Sequence, residues 1–276
     1  MRHSLSAITL LASCLVLAAT TPASAEEAEP NRGSKDRFSI SVGTFLVRFD
    51  TTVRVDSETL GRGTEIDLEE DTNLDREQTD VRLDGYYRIG KRHRLDYGAI
   101  FFSREASRTI DRTIQFGDTV FDVNGFLSTR FKNDVLKLAY RYSFVRNPRV
   151  EAGLTLGVSA FVVDLGMTGE TAGGGAVSEE TEDFVAPIPV LGLHADVALG
   201  KSWFFRTAGE FFDVSIDDRE GSLSDVRAAF DWYPFKHVGF GVGFNRLRIT
   251  YADLSAAEVD LTYAYSGTIF YLTYVN

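Results

Sequence analysis

The densest run of potential ligands is Asp67, Glu69, Glu70, Asp71, Asn73, Asp75 and Glu77, seven oxygen donors within eleven residues. Asp71-x-Asn73-x-Asp75 begins like a calcium loop, in which alternate oxygens converge on one hard cation. It departs where that loop needs a glycine, which is Arg76, and at the twelfth position, which is Arg82. Asp67, Glu69, Asp71, Asn73 and Asp75 are therefore expected to be a solvated acidic loop or, less favoured, a weak divalent-cation site. No metal site is assigned. Four histidines are present. His194-x-Asp196 places an imidazole and a carboxylate on one face of a strand, an acid/base pair in principle, but no serine nucleophile shares the pattern. The bland reading is a structural pair. The one cysteine, Cys14, lies in an apolar N-terminal stretch. Nucleotide and phosphate-cradling glycine motifs are absent, and Gly173-Gly174-Gly175 reads as loop. No catalytic residue and no cofactor is expected.

A third group is larger. Asp80, Arg82, Asp84, Arg88, Arg94, Asp96, Arg141, Glu151, Asp196, Arg206, Glu210, Asp225, Arg227 and Asp231, with Arg104, Lys137, Glu258 and Asp260, recur on alternate positions opposite apolar residues. In residues 79–89, Thr79, Val81, Leu83, Gly85, Tyr87 and Ile89 share one face, while Asp80, Arg82, Asp84, Tyr86 and Arg88 share the other. The same period of two runs through 135–145, 150–163, 189–199, 203–212, 225–233 and 238–245. Such alternation is a strand signal. The segments have about the 9–11 residues that a tilted membrane strand needs. Aromatics crowd the apolar face, while glycines and charges of both signs fill the polar one. That pattern suits a barrel with lipid outside and a narrow lumen inside better than a soluble sandwich.

The elements carrying these charges are expected to lie in an exported chain. Met1-Arg2-His3, an apolar stretch to Thr20, and Ala23-Ser24-Ala25 read as a signal peptide with cleavage after Ala25. Leu11-Ala12-Ser13-Cys14 resembles a lipoprotein box, but the apolar core continues past Cys14. Without residues 1–25 the chain has no thiol, and loss of Arg2 takes the net charge from −11 to −12. So acidic a chain argues against a nucleic-acid partner. Past the signal no run of 18 apolar residues could form a membrane helix, so a membrane location requires a closed barrel.

Four tight basic connections, Gly90–His93, Arg146–Arg149, Gly200–Ser202 and Pro234–His237, alternate with longer ones near 56–78, 105–133, 166–183, 214–222 and 251–257. Short turns alternating with long loops predict an up-and-down antiparallel barrel, short turns in the periplasm and loops outside. With segments near 37–53 and 258–275 the count is ten strands, eight or twelve being alternatives. Residues 105–133 contain further alternating segments around Gly117-Asp118, and the parity of the turns makes them strand extensions rather than an added hairpin. Residues 26–36 form a periplasmic lead, and 37–276 the barrel.

The C-terminal segment Ser266–Asn276 resembles the assembly signal of bacterial barrel proteins, with Gly267, Phe270, Leu272 and Tyr274 matching and Val275-Asn276 departing from the usual terminal aromatic. The chain thus resembles small Gram-negative outer-membrane β-barrel proteins. Ile66–Asp71 followed by Thr72-Asn73-Leu74 is similar to a motif of an uncharacterised group among them, and implies no activity. The resemblance implies outer-membrane lipid, lipopolysaccharide and the barrel-assembly machinery as partners, with oligomeric state open. Ten-stranded outer-membrane proteases use an Asp pair and an Asp-His pair at the outer rim. Here His93 and His237 fall in turns, His194 sits toward the periplasmic half, and none reaches Asp217-Asp218. Barrel phospholipases and lipid A deacylases use His-x-Ser, which is missing. The expected function is non-enzymatic: a lumen plugged by salt bridges or, second, a narrow porin-like channel. A surface protein binding cations, lipopolysaccharide or a host ligand through its acidic loops is the alternative, and an outer-membrane hydrolase the least favoured.

Overall fold

The computed structural model describes residues 36–276 except Glu58, Asp122, Asn124, 171–176, 217–218 and 254–258. The expected signal peptide, most of the expected lead, Gly173–Gly175, Asp217-Asp218 and Glu258 fall outside the described residues. Ten long strands form the wall: β1 (Phe38–Val55), β3 (Glu77–Arg88), β4 (His93–Thr109), β7 (Phe126–Arg146), β8 (Val150–Glu170), β9 (Val177–Ala198), β10 (Trp203–Ile216), β11 (Arg219–Trp232), β12 (Val238–Asp253) and β13 (Val259–Val275). Each pairs antiparallel with the next, and β13 returns to β1 from Ser39↔Val275 to Val55↔Val259. The sheet has closed on itself. Between β1 and β3 lie β2 (Ile66–Asp67) and α1 (Leu68–Asp71); between β4 and β7 lies a small separate hairpin, β5 (Ile114–Phe116) and β6 (Thr119–Phe121).

The period of two decides which way each side chain points. On β3, Val81 and Tyr87 are 62% and 50% exposed, whereas Arg82, Tyr86 and Arg88 are buried. The outer surface is an apolar belt that includes Leu138, Leu156, Leu191, Phe240 and Leu272, all exposed. Trp203 and Trp232 stack beside each other at the end with the short turns. Those turns are where the sequence puts them. At one, the Asn147 side-chain oxygen accepts from the amides of Arg149 and Val150 and closes the chain reversal.

At the other end several expected loops are strand instead. Strands β7, β8 and β9 have 21, 21 and 22 residues, about twice what a membrane crossing requires. The expected connection 166–183 is ladder up to Glu170 and again from Val177. Likewise the described parts of 214–222 and 251–257 are strand, β10 running to Ile216, β11 from Arg219 and β12 to Asp253. Within 105–133, β4 runs to Thr109 and β7 begins at Phe126, but Ile114–Phe116 and Thr119–Phe121, expected to be strand extensions, form a separate hairpin that leaves the wall at ten strands. Backbone that leaves lipid still needs partners, and continuing the ladder supplies them.

Candidate functional site

The site is the lumen, and it has two chemically distinct floors. In the half near the short turns, inward positions carry the charges. Glu151 of β8 receives both guanidinium nitrogens of Arg88 at 2.9 and 3.0 Å and the Ser143 hydroxyl at 2.6 Å. Arg94 pairs with Asp96 on its own strand at 2.8 Å and with Asp196 of β9 at 3.1 Å. Arg141 approaches Asp96 at 3.0 Å. Deeper, Lys137 lies 2.6 Å from Glu210 and 3.1 Å from Asp225. Asp225 also accepts from Asn245, whose carbonyl oxygen accepts from Arg82. Arg82 and Arg227 converge on Asp84 at 2.8 and 3.0 Å, and Arg206 and the Tyr271 hydroxyl on Asp231. Cation and anion alternate across the lumen, because the energetic cost of removing an ion from water is offset only by a well-placed partner. A cavity of about 100 Å³ remains among these groups, lined by residues such as Arg94, Asp196, Arg206 and Asp231.

Not every inward charge joins this network. Asp80 accepts from Gln78 and has no ion pair among the described residues. Asp260, expected to point inward, instead shares the outward face of β13 with Ala264 and Ser266 and pairs with its cross-strand neighbour Arg54 at 2.7 Å. His194 is wholly buried, with Nδ1 3.3 Å from the Thr155 hydroxyl. Gly153 opposite makes room for its ring, since a Cβ there would lie 2.8 Å from His194 Cε1 and 2.0 Å from the Tyr142 carbonyl oxygen. Its hydrogen-bond partner is thus Thr155 rather than Asp196, whose carboxylate serves Arg94.

Toward the loop end the inward positions turn apolar. Phe45, Phe49, Phe102, Phe131, Phe161, Leu247 and Tyr265 form one buried cluster. Phe49 and Phe102 meet edge to face at 5.0 Å. The connection from β1 to β3 folds inward onto this cluster, burying Ile66, Leu68 and Leu74, and the β5–β6 connection adds Ile110, Ile114, Phe116 and Phe121. The acidic segment expected to be solvated is therefore half plug. Its fastening is Glu69, which accepts from Arg104 at 2.5 Å and from the Thr51 amide at 2.8 Å. The guanidinium stacks 4.1 Å over the Phe49 ring.

The candidate cation ligands are separated by the same fold. Asp67 caps α1 by accepting from the Glu70 amide at 2.8 Å. Burial pushes its carboxyl above the usual range, against the pull of that bond. Asp71 accepts from the Asp67 amide and from Arg112. Glu69 is held by Arg104, Asn73 takes the left-handed turn conformation at φ 62°, and Asp75 is exposed. Among the described residues no three His, Cys, Asp or Glu side chains gather as a metal site. The loop's buried leucines were the signal that it folds inward. At the C-terminus, Phe270, Leu272 and Tyr274 face outward on β13, while Gly267 faces inward, where a Cβ would lie 2.2 Å from the Leu46 carbonyl oxygen.

No protein-family model matches the sequence, and no curated protein matches it. Among solved structures it is similar to the outer-membrane protease OmpT from Escherichia coli, with TM-score 0.56 and 9% identity over 88% of this chain and 97% of that one. The fold is that of bacterial outer-membrane β-barrels. More distant likenesses are to AlkL, determined by solid-state NMR in DMPC lipid bilayers (TM-score 0.41, 12% identity, 93% and 96% covered), and to the Pseudomonas putida toluene transporter TodX (TM-score 0.38, 8% identity, 89% and 91% covered). At these identities the first likeness concerns fold alone, and the other two carry no argument about this chain.

Proposed function

We propose that the protein is a closed, non-enzymatic barrel of the bacterial outer membrane, its short turns in the periplasm and its loops at the cell surface. The carrying observation is the filling of the lumen on both floors, with ions below and an apolar plug drawn from the barrel's own loops above. An apolar belt around a closed strand ladder suits lipid, which tolerates no unpaired backbone. The protease fold does not bring its chemistry along. The described histidines, His93, His194 and His237, lie at or near the short-turn end, away from the mouth where outer-membrane proteases cut. A channel would need both the plug and the charge network to move. Conductance of the refolded barrel in a planar bilayer tests the reading. A silent but folded barrel is expected, and discrete, reproducible current steps would overturn it in favour of a narrow channel.

A further inference from the structure

Where the apolar belt ends at the loop end, the outward-facing charges are not evenly distributed. Around β7, cations have carboxylate neighbours: Arg130 sits beside Glu105 and 3.9 Å from Asp164, and Lys132 is paired in register with Asp164. Across the barrel, Arg246 of β12 stands between Val226 and Ser266, and Arg248 between Ser224 and Ala264. Ser266 has Arg48 of β1 on its far side. All three arginines are exposed. Arg246 and Arg248 make no ion pair among the described residues, and Arg48 has only an exposed contact with Glu77 at 3.9 Å. Asp50, beside Ala264, is the one other carboxylate in the row.

The floor between these arginines is low. Along the outward face of β13 the side chains shrink from Tyr274, Leu272 and Phe270 to Thr268, Ser266 and Ala264. Strands lie about 4.8 Å apart, which sets the Arg246 and Arg48 backbones roughly 10 Å apart across Ser266. One row nearer the membrane centre, Phe244 and Leu46 flank Thr268 in the same way, both about half exposed. A shallow groove thus runs from an apolar pair to an arginine pair, crossing the belt's edge. Guanidinium groups bind phosphate oxygens through paired N–H donors.

We propose that this groove binds a phosphorylated glycolipid of the outer leaflet, as lipid A is, with phosphate held by Arg48, Arg246 and Arg248 and an acyl chain lying between Phe244 and Leu46. The proposal rests on the outer-membrane reading, since that leaflet is the one the loop end would meet. The test uses the refolded full-length barrel in phosphatidylcholine nanodiscs, titrated with lipid A and followed by native mass spectrometry. Substituting all three arginines by glutamine removes surface charge only, and is expected to weaken lipid A binding on the order of a hundredfold. Arg130→Gln with Lys132→Gln, on the balanced side, is expected to change nothing. Undiminished binding by the triple variant, or equal binding of dephosphorylated lipid A, would overturn the site. Equal retention of phosphatidylglycerol would overturn its glycolipid assignment. Folding is checked in each variant by heat-dependent gel mobility. Cell fractionation that placed the protein elsewhere would remove the location, whereas lost lipid A selectivity in a folded barrel removes this site alone.

Discussion

Arg94, in the charged floor of the lumen, has two carboxylates within reach, Asp96 and Asp196, and Asp96 in turn serves Arg141. Arg104, in the apolar floor, has one carboxylate, Glu69, with both side chains only 1% exposed among Phe49 and Phe131. The difference is redundancy. A charge inside a network keeps a carboxylate when one is removed, whereas Arg104 would keep only the Thr51 hydroxyl at 3.1 Å and the Asp75 carbonyl oxygen at 3.3 Å. The charged floor should therefore tolerate single losses that the plug does not.

The sharpest break of that contrast is Glu69→Ala, which strands Arg104 in an apolar surround and should cost about 3–5 kcal/mol of unfolding free energy in a urea titration. Replacing the pair together, as Arg104→Met with Glu69→Leu, should return most of that loss, because the penalty belongs to the orphaned ion. If the single and double variants unfold alike, the plug does not depend on this pair. Next comes Leu68→Ala, a cavity at the plug's centre expected to cost about 2–5 kcal/mol. It should expose the 56–76 segment to protease while the strand ladder stays resistant. Asp196→Asn should cost less, about 1.5–3 kcal/mol, because Arg94 retains Asp96. A loss as large as that of Glu69→Ala would show the network to be brittle too. The smallest effect is at the exposed Arg48–Glu77 contact, where Glu77→Gln should shift stability by under about 1 kcal/mol and less still in high salt.

The wall was legible in the sequence, and the plug was not. Alternation on 79–89 places Val81 outward and Arg82 inward because a strand offers only two faces, and a one-residue slip would put Arg82 into lipid. Tight turns such as Arg146–Arg149 then fix parity and the count of ten. Two-faced reasoning fails where both faces are apolar. Phe45-Leu46-Val47 alternates inward, outward and inward with no polar residue to mark the lumen. Ile66, Leu68 and Leu74 are likewise dispersed among carboxylates, so composition reads the segment as solvated although three of its side chains are buried. Within the network, sequence identifies the inward charges but not their partners. Arg88–Glu151 and Arg82–Asn245 join residues 63 and 163 positions apart, distances that only the barrel's closure sets.

The pairing of β1 with β13 brings residues 232 positions apart into contact, as at Ser41 and Thr273, and the Asn276 carbonyl oxygen accepts from the amides of both Arg37 and Phe38. A tube closed in this way has no stable partial form, since before the final strand arrives both open margins expose a full row of unmet backbone groups. Assembly must wait for β13 to reach β1, and ring closure is the costly, slow event rather than the growth of the wall. The seam is also a place where a new connection would be tolerated. A covalent bridge from Asn276 to Asp36, with new ends cut in a surface loop, would move the seam around the circumference and leave the tube unchanged.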